Sequence, residues 1–160
     1  MATQYNMNQF SLKDQVGEVM NPGANVIQAV INPSLASGTY YMAGQVVSFA
    51  TNAGDCVVVK AAAALKGIGV IVFNERTNQY SARMVCGVAL DGCIITMQAA
   101  AAIARGDVVA YGSTFTTGTA IGISTAPSGV GIGIALDIAA SSTDIVRVLI
   151  KSGLAYNAAL

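Results

Sequence analysis

From residue 40 onward the chain alternates short apolar runs with polar turn formers. Tyr40-Tyr41-Met42, Val46-Val47-Ser48-Phe49, Cys56-Val57-Val58-Val59, Gly69-Val70-Ile71-Val72-Phe73 and Ala82-Arg83-Met84-Val85-Cys86 come first. Val88-Ala89-Leu90, Cys93-Ile94-Ile95-Thr96, Val108-Val109-Ala110-Tyr111, Thr119-Ala120-Ile121, Ile132-Gly133-Ile134-Ala135-Leu136 and Ile145-Val146-Arg147-Val148-Leu149-Ile150 follow. Between them stand Asn52, Gly54-Asp55, Asn78, Asp91-Gly92, Gly106-Asp107, Gly112 and Gly118. Branched side chains are stiff at χ1 and pack well on a pleated surface, so runs of this length and spacing predict a mainly β chain, a small barrel or sandwich. One stretch breaks the pattern. Met97-Gln98-Ala99-Ala100-Ala101-Ala102-Ile103-Ala104-Arg105 is rich in the best helix former and stops at Gly106, which predicts one short helix. Residues 61–65 predict a further helical turn.

The apolar pattern also repeats. Gly67-Ile68-Gly69-Val70 returns as Gly131-Ile132-Gly133-Ile134, and Arg83-Met84-Val85-Cys86 as Arg147-Val148-Leu149-Ile150. Upstream, Gly44-Gln45-Val46-Val47-Ser48-Phe49 matches Gly106-Asp107-Val108-Val109-Ala110-Tyr111. The matches run in one order at nearly one spacing, which predicts two similar half-barrels.

Residues 1–40 read differently. Asn21-Pro22-Gly23 and Asn32-Pro33 are turn signals on either side of the strand-like run Val26-Ile27-Gln28-Ala29-Val30-Ile31. This predicts an extended N-terminal arm over residues 1–40 and a barrel-like domain over residues 41–160. An arm of this kind can pair its backbone with an exposed strand edge of a partner. Val26, Ile27, Val30 and Ile31 are the candidate contact residues. Met1 to Phe10 is polar and lacks the apolar core of a signal peptide.

Composition narrows the function. Charged residues are 10% of the chain, hydrophobic residues 54%, and eight basic side chains balance eight acidic ones. No basic block offers a phosphate-tracking surface, so nucleic acid is not an expected partner. A chain this poor in charge has little to keep it solitary in water, which points to life in an assembly. A membrane is not an expected partner either, because the longest charge-free stretch, residues 108–136, is broken by glycines, serines and Pro127.

Catalytic chemistry finds few residues to use. There is no histidine, hence no ordinary general base near neutral pH and no usual partner for a nucleophilic Ser or Cys. The three cysteines, Cys56, Cys86 and Cys93, form no Cys-x-x-Cys pair, so neither a metal nor a cofactor is expected. Most acids sit in turn contexts such as Gly54-Asp55, Asp91-Gly92 and Gly106-Asp107. Gly129-Val130-Gly131-Ile132-Gly133 precedes a strand and opens no helix, so it reads as a close approach of backbones and not as a phosphate loop. Arg105-Gly106-Asp107 reads as a turn.

Four segments carry a resemblance. They are Tyr41-Met42-Ala43-Gly44-Gln45-Val46-Val47, then Ala99-Ala100-Ala101-Ala102-Ile103-Ala104-Arg105-Gly106-Asp107-Val108-Val109, then Gly131-Ile132-Gly133-Ile134-Ala135-Leu136-Asp137, then Asp144-Ile145-Val146-Arg147-Val148-Leu149-Ile150. Together they make the stretch from Ile31 to Lys151 similar to the head decoration, or structural cement, proteins of tailed bacteriophages. The resemblance implies a small β-barrel or β-tulip domain that trimerises and sits on the outer capsid surface of the virion. There it would bridge neighbouring major capsid protein subunits without catalysis or cofactor. Mass action would then favour the expanded head, and many copies would add modest contacts. A tail, baseplate or fibre module and a surface adhesin are the alternatives. A carboxylate enzyme and a peripheral membrane protein stand further off.

Overall fold

The fold was read from a computed structural model that describes residues 16–21, 25–50, 56–60, 68–74, 76–77, 79–111, 123–125, 129–142 and 144–156. The described residues hold twelve strands and no helix. The first half contains β1 (Val26–Ile31), β2 (Tyr41–Met42), β3 (Val46–Phe49), β4 (Val57–Lys60), β5 (Gly69–Ile71), β6 (Gln79–Tyr80) and β7 (Val85–Ala89). The second half contains β8 (Ile94–Gln98), β9 (Val108–Tyr111), β10 (Ile123–Thr125), β11 (Gly129–Ala135) and β12 (Ile145–Tyr156).

Strands β1-β4-β3-β5-β7 close into a barrel, with β1 parallel to β4 and antiparallel to β7. The second half is a sheet in the order β10-β9-β11-β12-β8. Its two edge strands meet where Ala99 bridges Ile123 in parallel. A short β2–β6 ladder completes the first half.

The internal repeat holds down to individual bonds. Val46 pairs with Val70 and Val70 with Ala89; in the second half Val108 pairs with Ile134 and Ile134 with Leu149. The parallel contact Ile31–Val58 has its counterpart in Ala99–Ile123. The N–H of Asn32 donates to Val58 at 3.1 Å, and that of Ala100 to Ile123 at 2.7 Å. Gly44 donates to Ile71 at 2.7 Å, and Gly106 to Ala135 at 2.8 Å. One expected correspondence shifts: β7 aligns with β12 so that Gly87, not Arg83, occupies the place of Arg147. Arg83 lies in a turn with φ of 68°, whereas Arg147 lies within a strand, so the shared letter hides different backbones.

The predicted helix does not form. Residues 97–98 close β8, Ala99 and Ile103 make single bridges, and Arg105-Gly106 turns the chain into β9. Helix propensity favours alanine by only about 0.7 kcal/mol per residue over ordinary residues. Here tertiary pairing wins: Ala99 donates to Asp144 at 2.8 Å, and Ile103 and Ala139 exchange two bonds of 2.9 Å. Residues 61–65 lie outside the described residues.

Two cores result. Ile31, Val47, Val58, Ile71 and Val88, all fully buried, fill the barrel. Val46, Val70 and Ala89 alternate with them along the same strands and so face outward. They join the core of the second half, with Ile95, Met97, Val109, Ile123, Ile132 and Val148. Residues 16–21 run between the halves. Gly17 donates to Thr96 at 2.7 Å and accepts from Phe73 at 2.8 Å, Met20 donates to Ile94 at 2.7 Å, and Val19 bridges Ile95 antiparallel.

Candidate interaction surface

The polar chemistry of the described residues serves structure. Among them no group of three or more His, Cys, Asp or Glu could hold a metal ion. Asp107 accepts from the N–H of Ala104 at 2.9 Å, and Asp144 from those of Ala140 and Ser141 at 2.8 and 3.0 Å, so both carboxylates pin turns. Asp137 grips Arg147 through two bonds of 2.8 and 2.6 Å and also accepts from its backbone N–H at 3.0 Å. That side-chain pairing, against some cost of burial, holds the Asp137 carboxyl below its usual range. Burial pushes the Cys86 thiol up to about 11, which keeps it protonated and unreactive. Arg105-Gly106-Asp107 is a turn, as its sequence implies, with Gly106 at φ of 89°. A surface depression between residues 33–40 and Ser81-Ala82-Arg83 carries one charged side chain, Arg83, and no carboxylate.

The distinctive surface is apolar and lies on the barrel. Val26, Ile27, Val30 and Ile31, expected in an extended arm, stand in β1 as an integral barrel strand. The twofold period of a strand divides them. Ile31 is fully buried in the barrel core and Ile27 packs against that core. Val26, 42% exposed, and the half-buried Val30 lie on the opposite, outer face. Residues 1–15 lie outside the described residues.

The register of β1 against β7 adds neighbours that the sequence does not reveal. Val30 stands opposite Val85, which is 55% exposed; Gln28, also exposed, stands opposite Gly87; and Val26 stands opposite Ala89. Gly87 leaves a dip: a Cβ built there would meet Val26 at 3.3 Å and Val72 at 3.5 Å. The result is an uncharged stripe of valines around a glycine floor. Val85 could be read from sequence as a strand residue, but only the pairing register brings it to the face of Val26 and Val30.

No protein-family model matches the sequence, and no curated protein matches it significantly. Among solved structures, the chain is similar to the N base of the head fibre gp8.5 of bacteriophage phi29. The TM-score is 0.50 at 18% identity, over 82% of this chain and 98% of that one. At this identity the likeness is one of fold.

Proposed function

We propose that the chain is a non-catalytic structural protein of a bacteriophage virion. It binds the outer surface of the expanded head, bridges major capsid subunits and stabilises the shell as a homo-oligomer, a trimer by resemblance. The observation that carries this reading is the fold shared with the base of a phage head fibre over nearly all of that domain. Two further features support it. Charge is only 10% of the sequence, as suits a protein covered by neighbours. The carboxylates of Asp107, Asp137 and Asp144 pin backbone or pair with arginine, which leaves them no catalytic task.

The same fold likeness favours a second reading, in which the tandem halves are the base of a fibre standing on the head. One experiment separates them. Purified chain is incubated with purified, expanded shells and imaged by cryo-electron microscopy. Density repeated over the lattice is expected for a decoration protein. Density confined to sparse sites, matching the feet of fibres on intact virions, selects the fibre base. Shells left bare would overturn both.

A further inference from the structure

The two halves of the repeat are joined through two unlike surfaces, and each surface occurs a second time in the chain. The first is the outward row of Val46, Val70 and Ala89, which stand opposite one another across β3, β5 and β7. The second lies in the other half and holds Ile95, Ile132 and Ile150, buried at 0%, 1% and 1% exposure. All six side chains belong to one continuous core. The outer face of the first half and the apolar end of the second are thus buried together.

Register gives the same two surfaces on the opposite halves. The row recurs as Val108, Ile134 and Leu149, opposite one another across β9, β11 and β12. The end recurs as Ile27, Ile68 and Leu90. Ile27 stands opposite Val88 as Ile95 stands opposite Val148. The N–H of Leu90 donates to Asn25 at 2.9 Å, as that of Ile150 donates to Cys93 at 2.8 Å. Ile68 and Ile132 sit in the repeated Gly-Ile-Gly segments. Burial separates the two sets. The joined residues are buried, whereas Val108, Ile134, Leu149, Ile27, Ile68 and Leu90 are all half-buried, though every one is apolar. A chain of two repeats joins one face to one end. It is left with a face on the second half and an end on the first, and these match each other as the joined pair does.

We propose that copies of this chain associate head to tail, with Val108, Ile134 and Leu149 of one copy seated on Ile27, Ile68 and Leu90 of the next. The occupant is a second copy because the fold itself shows what covers this face: the apolar end of the neighbouring repeat. A contact of this kind joins two different patches and is heterologous, unlike a twofold contact of one patch with itself. It gives a surface to the homo-oligomer of the function proposed above. Its own support is the repeat and its test needs no capsid shell, so either reading can fail alone.

Sedimentation velocity of the purified chain is expected to show an oligomer. Ile134→Lys alters the face and Leu90→Lys the end; each places a charge in one surface while the lysine stem still covers apolar neighbours. Either variant alone is expected to sediment as a monomer, because every head-to-tail contact then includes an altered surface. An equimolar mixture is expected to regain a dimer, the intact face of Leu90→Lys meeting the intact end of Ile134→Lys. A twofold contact through one patch gives no such rescue. Cysteine variants supply a readout that does not depend on lysine being tolerated. In a Cys56→Ser background, which removes the exposed thiol, isotope-labelled Ile134→Cys is mixed with unlabelled Leu90→Cys and treated with a short bismaleimide. A link from position 134 of the labelled copy to position 90 of the unlabelled one is expected. A monomeric wild type, lysine variants that keep the wild-type mass, or cross-links that join only position 134 to position 134 would each overturn the proposal. So would the absence of any link between copies.

Discussion

At the scale of single residues, two glycines carry the close packing of the repeat. A Cβ on Gly69 would collide with the backbone oxygen of Ala89 and come within 2.7 Å of Val88; on Gly133 it would collide with that of Leu149 and come within 2.7 Å of Val148. Both obstacles include strand backbone, which cannot rotate away. Gly133→Ala is therefore expected to cost about 1–3 kcal/mol, as overpacking does, measured by urea unfolding. Gly92→Ala meets open space and bears only the penalty of its φ of 88°, about 1 kcal/mol. The sequence pattern showed that glycines recur at these places; that the recurring feature is a strand-to-strand approach is visible only in the register. The Asp137–Arg147 pair belongs to the same scale. The folded state holds the Asp137 carboxyl below its ordinary value of 3.8, so its contribution is present above that pH and fades as pH falls through the folded value. Because Arg147 is 42% exposed, solvent screens the pair and the effect is about 1 kcal/mol or less. Unfolding free energy of the wild type is expected to drop between pH 5 and pH 3 by about that amount more than in Asp137→Asn.

At the scale of elements, strands were legible because branched residues alternate with turn formers, and the helix that does not form is instructive. Ala99 to Ile103 has the composition of a helix, yet the backbones of Ala99, Ala100 and Ile103 are taken by Asp144, Ile123 and Ala139, contacts that no local window contains. The run from Val26 to Ile31 was legible as a strand, but its place inside the barrel depends on pairing with residues about 60 positions away. The segment 16–21 gave no strand signal at all, since it holds Gly17, Glu18 and Asn21 beside Val16, Val19 and Met20. Its position is fixed by close contact: Gly17 has φ of 87°, and a Cβ there would sit 2.8 Å from the nitrogen of Gly44 and 3.0 Å from the oxygen of Ile71. Gly17→Ala is therefore expected to lift this segment off the barrel. The measurable result is faster hydrogen exchange at Thr96 and Met20, with a loss of about 1–3 kcal/mol in stability.

At the scale of the whole molecule, the repeat does not make two independent bodies. Val46, Val70 and Ala89 belong to strands of the barrel but are buried in the core of the second half, at 3%, 0% and 0% exposure. Their counterparts Val108, Ile134 and Leu149 are only half-buried, so the second half presents no equivalent cover in return. Residues 16–21 tie the arrangement by bonding Phe73 on one side and Thr96 on the other. The second half thus loses part of its core when the barrel unfolds, and the barrel loses the cover over Val46, Val70 and Ala89 when the second half unfolds, so the two are expected to unfold in one transition. Val70→Ala tests that coupling. It removes two methyl groups from a fully buried site, which costs about 1–3 kcal/mol. Read by hydrogen exchange, the loss is expected to appear equally at Val88 in the barrel and at Val148 in the second sheet. A loss confined to either half would show that the shared core does not couple them, and the molecule would then have to be treated as two separately folding modules.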